Sequence, residues 1–417
     1  MRMPSLSDKL KSLGVKIGTT DLPKVEPVLR HEIDNVVSGT FRSTRSGDTF
    51  VATQTFGAEY RHGQAPIRPE VPFDTLAAWA REPRYLELPL ESYAFLDTET
   101  SGLAGGTGTY AFLIGVGHFQ EGEFQLEQFF MRDPAEEANM LESLAATLAP
   151  MHAMVTFNGK AFDVPLLLTR YALHGIPSPF TDFAHLDLLP LVRRLWRDRL
   201  PSRALKFLEE NVLAAPRTIE EVPGFEIPYL YFDYLRSRDA RPLKGVFYHN
   251  AMDVVAMAAL LSHVTMILND PFSEIVEHGL DVVALGKIFE DLGEWDMAAR
   301  LFERGLEMEM PEADFWLAVQ RLSHLQKRRG DHETAIMLWE RAAEQGHVYA
   351  HVELAKHHEH HSRNYADAMK WTHSAMELVS TLDIPRYIYN HWMDELTHRL
   401  ERLDGKIQKR SGIRKKE

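Results

Sequence analysis

Four carboxylates and one histidine are the residues of this chain whose types and spacing point to chemistry. Asp97 and Glu99 stand two apart at the end of the apolar run Tyr93-Ala-Phe-Leu-Asp97. In a strand, residues two apart share a face. Two carboxylates held side by side against buried backbone repel each other, and a hard divalent cation with oxygen ligands is the usual compensation. An aspartate two before a glutamate is common, so by itself the pair also fits two solvated acids at a strand end. Asn158-Gly-Lys-Ala-Phe-Asp163 supplies a third acid. It falls in the first turn of a helix, where the helix dipole favours negative charge whatever its function. Tyr248-His-Asn-Ala-Met-Asp253 supplies the fourth, with His249 and Asp253 at i and i+4 on one helix face. An imidazole titrates near neutrality and suits proton transfer, although ordinary surface pairs use the same spacing.

The elements around these residues must bring them together. Tyr93–Asp97, Tyr110–His118 and Phe124–Met131 read as three strands joined by short loops, with a hairpin turn at Gln120-Glu-Gly-Glu123. A helical pattern follows Asp133-Pro134 to Ala149, and Ala153–Phe157 is a further buried strand. Helical patterns then alternate with short connections to about residue 270, which predicts a mixed sheet with helices on its faces. Residues 1–90 predict a short helix at Ser5–Leu13 and strand-like Thr, Phe and Val alternation in GTFRSTRSGDTFVATQTF, then proline punctuation. From about residue 280 the pattern is wholly helical. Leu292–Arg304 aligns with Arg329–Arg341 and Arg363–Trp371, sharing Ala298, Ala335 and Ala368. That period resembles tetratricopeptide repeats, and three copies approach the minimum for a self-supporting stack.

Taken in order, D-x-E, N-G-x-x-F-D and H-x-x-x-D resemble the DEDD exonuclease superfamily and, through the histidine, its DEDDh subgroup. FLDTETSGLAGGTGTYAFLIGVG, FNGKAFDVPLL, HLDLLPLVRRLWRDRLPSRALKFLE, VPGFEIP and YHNAMDVVAMAAL narrow the resemblance to the YprB-type branch, similar to mitomycin repair factor B exonucleases. The resemblance implies an α/β ribonuclease H-like fold, a mixed five-stranded sheet flanked by helices, joined to an all-α repeat region. It divides the chain into an extension over 1–90 that packs on the catalytic domain, the exonuclease domain over 91–270, repeats over 280–404 and a basic tail over 405–417. It implies Asp97, Glu99, Asp163 and Asp253 as ligands of two Mg²⁺ or Mn²⁺ ions, and His249 as general base. Thr98, Gly102, Leu103, Asn158, Lys160, Phe162 and Asn250 would contact substrate, Leu103 as a wedge against the terminal base. Asp187 would support the site. The activity implied is 3′–5′ hydrolysis of DNA phosphodiesters in repair. RNA as substrate, or a scaffold whose nuclease domain only binds nucleic acid, are the alternatives.

Bulk composition limits the partners. Lys plus Arg is 46 against Asp plus Glu 60, a formal charge of −14 over 417 residues, which argues against coating nucleic acid by bulk attraction. Local positive charge is present at Arg193–Lys206, which fits either phosphate tracking or a solvated helix face, and in the tail from Lys406 to Lys416. The expected partners are nucleic acid, DNA before RNA, and a protein docked on the repeats, a helicase being one candidate. No cysteine is present, which excludes thiolate metal sites, disulfides and a cysteine nucleophile. The start shows no secretory pattern and Val254–Leu268 is shorter than a bilayer span, so no membrane and a cytoplasmic location are expected. The histidines between His347 and His361 read as a solvated helix.

Overall fold

The computed structural model describes residues 31–102 and 108–410. The expected Ser5–Leu13 helix, Leu103 and the tail residues Arg414, Lys415 and Lys416 lie outside the described residues. β1 (Thr40–Ser43) and β2 (Asp48–Phe56) come from the amino-terminal segment, followed by a small hairpin of β3 (Arg61–His62) and β4 (Ala65–Pro66). The three apolar runs become β5 (Tyr93–Thr100), β6 (Ala111–Gln120) and β7 (Glu123–Phe130), an antiparallel meander. Glu121 and Gly122, both at positive φ, make the two-residue turn between β6 and β7 that the strand twist favours. β8 (Ala153–Thr156) and β9 (Ala184–Asp187) run parallel to β5 on its other side.

The sheet order is β1-β2-β7-β6-β5-β8-β9. It has seven strands, not the five expected from the resemblance. The two extra strands extend the β7 edge: β2 pairs with β7 from Phe50↔Phe130 to Phe56↔Phe124, and β1 pairs with β2. Left bare, β7 would present a row of unpaired backbone groups. The Thr, Phe and Val alternation of residues 48–56 covers that edge and buries Phe50, Val51 and Ala52. Burial of a side chain of that size contributes about 1.5–3 kcal/mol.

Helices cover both faces. On one lie α1 (Asp74–Ala80), and on the other α2 (Glu137–Leu148) and α3 (Asp163–His174). α4 (Leu188–Trp196) and α5 (Leu205–Asn211) join the face of α1, and α6 (Ile227–Ser237) joins that of α2. α7 (Leu243–Asn269) contributes to both cores. By length and composition α7 could cross a membrane, but 83% of its most apolar window is buried inside the protein. The apolar stretch first read as Val254–Leu268 is thus part of a longer core helix. Its approach to β6 depends on Gly115, where a Cβ would meet Asn250 Oδ1 at 2.4 Å and Val254 at 2.9 Å.

The rest of the chain is helical: α8 (Gly279–Leu292), α9 (Trp295–Leu306), α10 (Glu312–Arg329), α11 (His332–Glu344), α12 (Val348–His360), α13 (Tyr365–Thr381) and α14 (Arg386–Arg410). Each packs on the next. Ala298, Ala335 and Ala368 are fully buried. Gly293, Gly330 and Arg363, at corresponding places before α9, α11 and α13, all adopt positive φ. The histidine-rich helix is not wholly solvated, since His351 and Glu359 are buried. Part of the basic run is consumed between α4 and α8. Arg194 pairs with Asp291, Arg199 reaches Asp281 at 2.8 Å, and Lys287 reaches Asp198 at 2.8 Å.

Candidate active site

Asp97 and Glu99 lie near the carboxyl end of β5, the strand flanked by antiparallel β6 and parallel β8. Thr98, between them, donates its hydroxyl to Asp163 Oδ1. Asp163 is the first residue of α3, so its position owes something to the helix start as well as to Thr98. The loop leading to it is held by Asp187, whose carboxylate accepts from the backbone N–H of Asn158 at 2.8 Å, Lys160 at 3.2 Å and Leu189 at 3.1 Å. Asn158 sits at φ 69°, a left-handed conformation that asparagine tolerates better than most residues.

α7 brings the other two groups. His249 and Asp253 face the strand end, with His249 Nε2 3.4 Å from Asp253 Oδ2 and 3.9 Å from Glu99 Oε1. Glu99, His249 and Asp253, all partly buried, offer ligand atoms within 4.8 Å of one another. Glu99 Oε1 is buried with no hydrogen-bond partner among the described residues. Asn250 donates to Asp97 Oδ2 at 2.8 Å while its own oxygen accepts from Gln128 at 2.9 Å.

The electrostatics follow from this crowding. Burial, then the charges of Asp253 and Asp163, push the Asp97 carboxyl well above the usual range. Burial and Asp97 do the same to Glu99. Burial pushes Asp163 up to about 6 against the hydrogen bond from Thr98. Burial would also raise Asp253, but His249 and Arg217 outweigh it and hold that carboxyl low. Burial opposes charge on His249, yet its bonds to Asp253 and Glu221 dominate and push the imidazole up to about 11. An excess of oxygen donors, one with no partner, suits a hard divalent cation.

The remaining expected contacts divide. Lys160 is exposed and Phe162 is 58% exposed beside Asp163, so both are free to meet a ligand. The Gly102 carbonyl accepts from the Thr100 hydroxyl at 3.0 Å. Asn250 has no exposed surface, so it is corrected from a substrate contact to a support for Asp97. Thr98 and Asp187 likewise act on other site residues.

Arg217 and Glu221 were not anticipated. Both lie in the connection between α5 and α6. Arg217 bonds Asp253, and Glu221 accepts from His249 Nδ1 at 2.9 Å. A lone arginine and one of two adjacent glutamates carry no spacing signal, and only chain folding brings them to α7.

The RNase_H superfamily family model, RNase_H_2, matches residues 94–265, the segment that contains Asp97, Glu99, Asp163, His249 and Asp253. A protein of Bacillus subtilis (strain 168), "Uncharacterized protein YprB", is 34% identical over 281 residues, 66% of this chain and 67% of its own length. Among solved structures, a family B DNA polymerase from the archaeon Pyrobaculum calidifontis superposes with TM-score 0.31 and 16% identity, covering 48% of this chain and 29% of that one. With the relative's coverage and the superfamily match over the sheet and α7, this chain belongs to the YprB family of RNase H-like proteins.

Proposed function

We propose that this protein is a divalent-metal-dependent 3′–5′ exonuclease that hydrolyses DNA and acts in repair. The observation that carries this is the convergence of Asp97, Glu99, Asp163, Asp253 and His249, with Glu99 Oε1 buried and unpartnered. Asp97, Glu99, Asp163 and Asp253 would hold two Mg²⁺ or Mn²⁺ ions. Bound there, such ions lower the pKa of a water and neutralise charge on the leaving 3′ oxygen. His249 takes the proton of the attacking water at Nε2, the nitrogen that faces the acids. Of the carboxylates that favour the protonated His249, Asp253 and Glu99 are proposed ligands, so an ion that neutralised them would ease proton acceptance at Nε2 while Glu221 kept its bond at Nδ1. Asn250 keeps Asp97 in place and Thr98 keeps Asp163 in place. Phe162 offers a face for base stacking and Lys160 a charge for phosphate. The likeness to mitomycin repair factor B exonucleases supports DNA and 3′ polarity.

The test is release of nucleoside 5′-monophosphates from 3′-labelled and 5′-labelled single-stranded DNA, duplex DNA and RNA, with Mg²⁺ or Mn²⁺ and with chelator. Ion-dependent loss of the 3′ label from DNA is expected. Preference for RNA moves the assignment to a ribonuclease. No release from any substrate leaves the repeats as a scaffold.

A further inference from the structure

Glu221 sits on a connection with no strand or helix of its own, yet its carboxylate is only 9% exposed and meets the histidine of the site. His249 Nδ1 lies 2.9 Å from Glu221 Oε1 and 3.1 Å from the carbonyl of Val222. Both neighbours are acceptors, so Nδ1 carries the proton and donates. The ring is then held by one edge, and its other nitrogen, Nε2, points to Asp253 and Glu99.

A single guanidinium ties this connection to its surroundings. Arg217, whose side chain is 2% exposed, donates from Nη1 to both oxygens of Glu221 at 3.1 and 3.3 Å. It donates from Nε to Glu209 on α5 at 2.6 Å and from Nη2 to Asp253 on α7. Glu209 is itself buried and is met on its other side by His62 of β3 at 2.6 Å. The backbone N–H of Thr218 donates to Tyr248 Oη at 3.0 Å, a second tether to α7. Glu220, the next residue along, is by contrast exposed and reaches Lys244 at 3.5 Å.

We infer that Glu221 and Arg217 are positioning residues of the hydrolytic reaction. Glu221 holds the Nδ1 proton of His249 so that Nε2 faces the attacking water, and Arg217 locks Glu221 and Asp253 into one frame. This rests on the exonuclease reading, since it assigns His249 the base role. Supporting groups of this kind typically carry 10–100-fold in activity.

The experiment compares wild type, Glu221→Ala, Glu221→Gln and His249→Gln in two measurements. The first is kcat and KM separately, on end-labelled single-stranded DNA with Mn²⁺. Glu221→Ala should lower kcat by about 10–100-fold with KM held within about twofold. Glu221→Gln keeps an oxygen acceptor for Nδ1–H in nearly the same shape, so it should recover a large part of that loss and stay folded where alanine does not. The second is the low-field Nδ1–H resonance of ¹⁵N-histidine-labelled protein without added metal. It should be present in wild type, retained in Glu221→Gln and lost in Glu221→Ala and His249→Gln. Wild-type kcat in Glu221→Ala, equal impairment in the alanine and glutamine variants, or a resonance that persists in Glu221→Ala would each overturn the inference. If wild type releases no nucleotide, the exonuclease reading fails, and with it the catalytic role given to Glu221. The resonance then reports separately whether Glu221 holds the His249 ring.

Discussion

Glu359 in the carboxyl-terminal helical region and Asp97 at the end of β5 are both carboxylates withdrawn from water, and the fold serves them in opposite ways. The Glu359 side chain is fully buried and accepts from Arg399 at 3.1 Å, Arg402 at 2.8 Å and Lys406 at 2.8 Å. Burial would raise its carboxyl, but those cations outweigh burial and hold it at about 2. Asp97 has Asp253 and Asp163 for neighbours and one neutral amide, from Asn250, and its carboxyl is pushed up instead. A buried charge is stable when it is paired or neutralised. The carboxyl-terminal helices carry counter-ions for Glu359 within the fold. At the sheet end the cations serve other groups first: Arg217 pairs with Asp253, Glu209 and Glu221, and His249 lies closer to Asp253 and Glu221 than to Glu99, 3.9 Å away. Clustered carboxylates that lack protein cations are where an external divalent ion gains most.

The most severe test exchanges the charge in each region. Asp97→Asn should cut nuclease turnover by more than the roughly 100-fold that a supporting residue carries, with no loss in thermal midpoint. Glu359→Gln should do the reverse, losing about 3 kcal/mol of stability as buried Arg399 and the partly exposed Arg402 and Lys406 lose their charged partner, while the folded fraction keeps wild-type turnover. Equal destabilisation by both, read by chemical denaturation, would break the contrast.

A smaller effect comes from the ion itself. Mg²⁺ or Mn²⁺ at about 100 times its dissociation constant should stabilise the wild type at pH 7.5 by about 2.7 kcal/mol. The gain should vanish in Asp97→Asn with Glu99→Gln. A gain that survives in that double variant, by scanning calorimetry, would place the ion elsewhere.

With chelator present, pH should separate the two regions by sign. Asp163 is raised from 3.8 to about 6, so the folded state holds its proton longer and stability falls as pH rises from about 4 to about 6. Glu359 is lowered from 4.5 to about 2, so its contribution is full above about 4.5 and is lost as pH falls towards 2. Denaturation of Asp163→Asn across pH 2–7 should weaken the falling slope, to which Asp97 and Glu99 also contribute, and Glu359→Gln should weaken the rising one, each leaving the other unchanged.

The mildest change is Asp187→Ala. It removes a cap from α4 and from the Asn158 loop, and should cost about 0.5–2 kcal/mol by denaturation. A larger loss of turnover than of stability would show that Asp187 also sets the geometry of Asp163.

The site was legible in the chain where chemistry and local structure coincide. Asp97 and Glu99 are two apart on one strand, and His249 and Asp253 are four apart on one helix, so each pair is positioned by its own element. The meander of residues 93–130 was legible for the same reason, since alternation and the Glu121-Gly122 turn are local. The seventh and sixth strands were not. Residues 40–56 read as strand-like, but their place on β7 depends on which edge was left open after the meander formed. Asn250 was misjudged because its neighbours in sequence face the site, whereas its own side chain turns into the sheet through the space left by Gly115.

What the amino-acid order determined by itself is the pairing of Asp97 with Glu99 and of His249 with Asp253 on the elements that carry them, because 2-residue and 3.6-residue periods are properties of a short segment. What only the tertiary structure decided is the electrostatic balance between the two regions. Glu359 is matched by cations 40 to 47 residues away, while the acids of β5 are gathered beside other acids. Nothing in the order of residues distinguishes a carboxylate that will meet an arginine from one that will meet another carboxylate, because Coulomb energy depends on distance through space and on the water left between the groups.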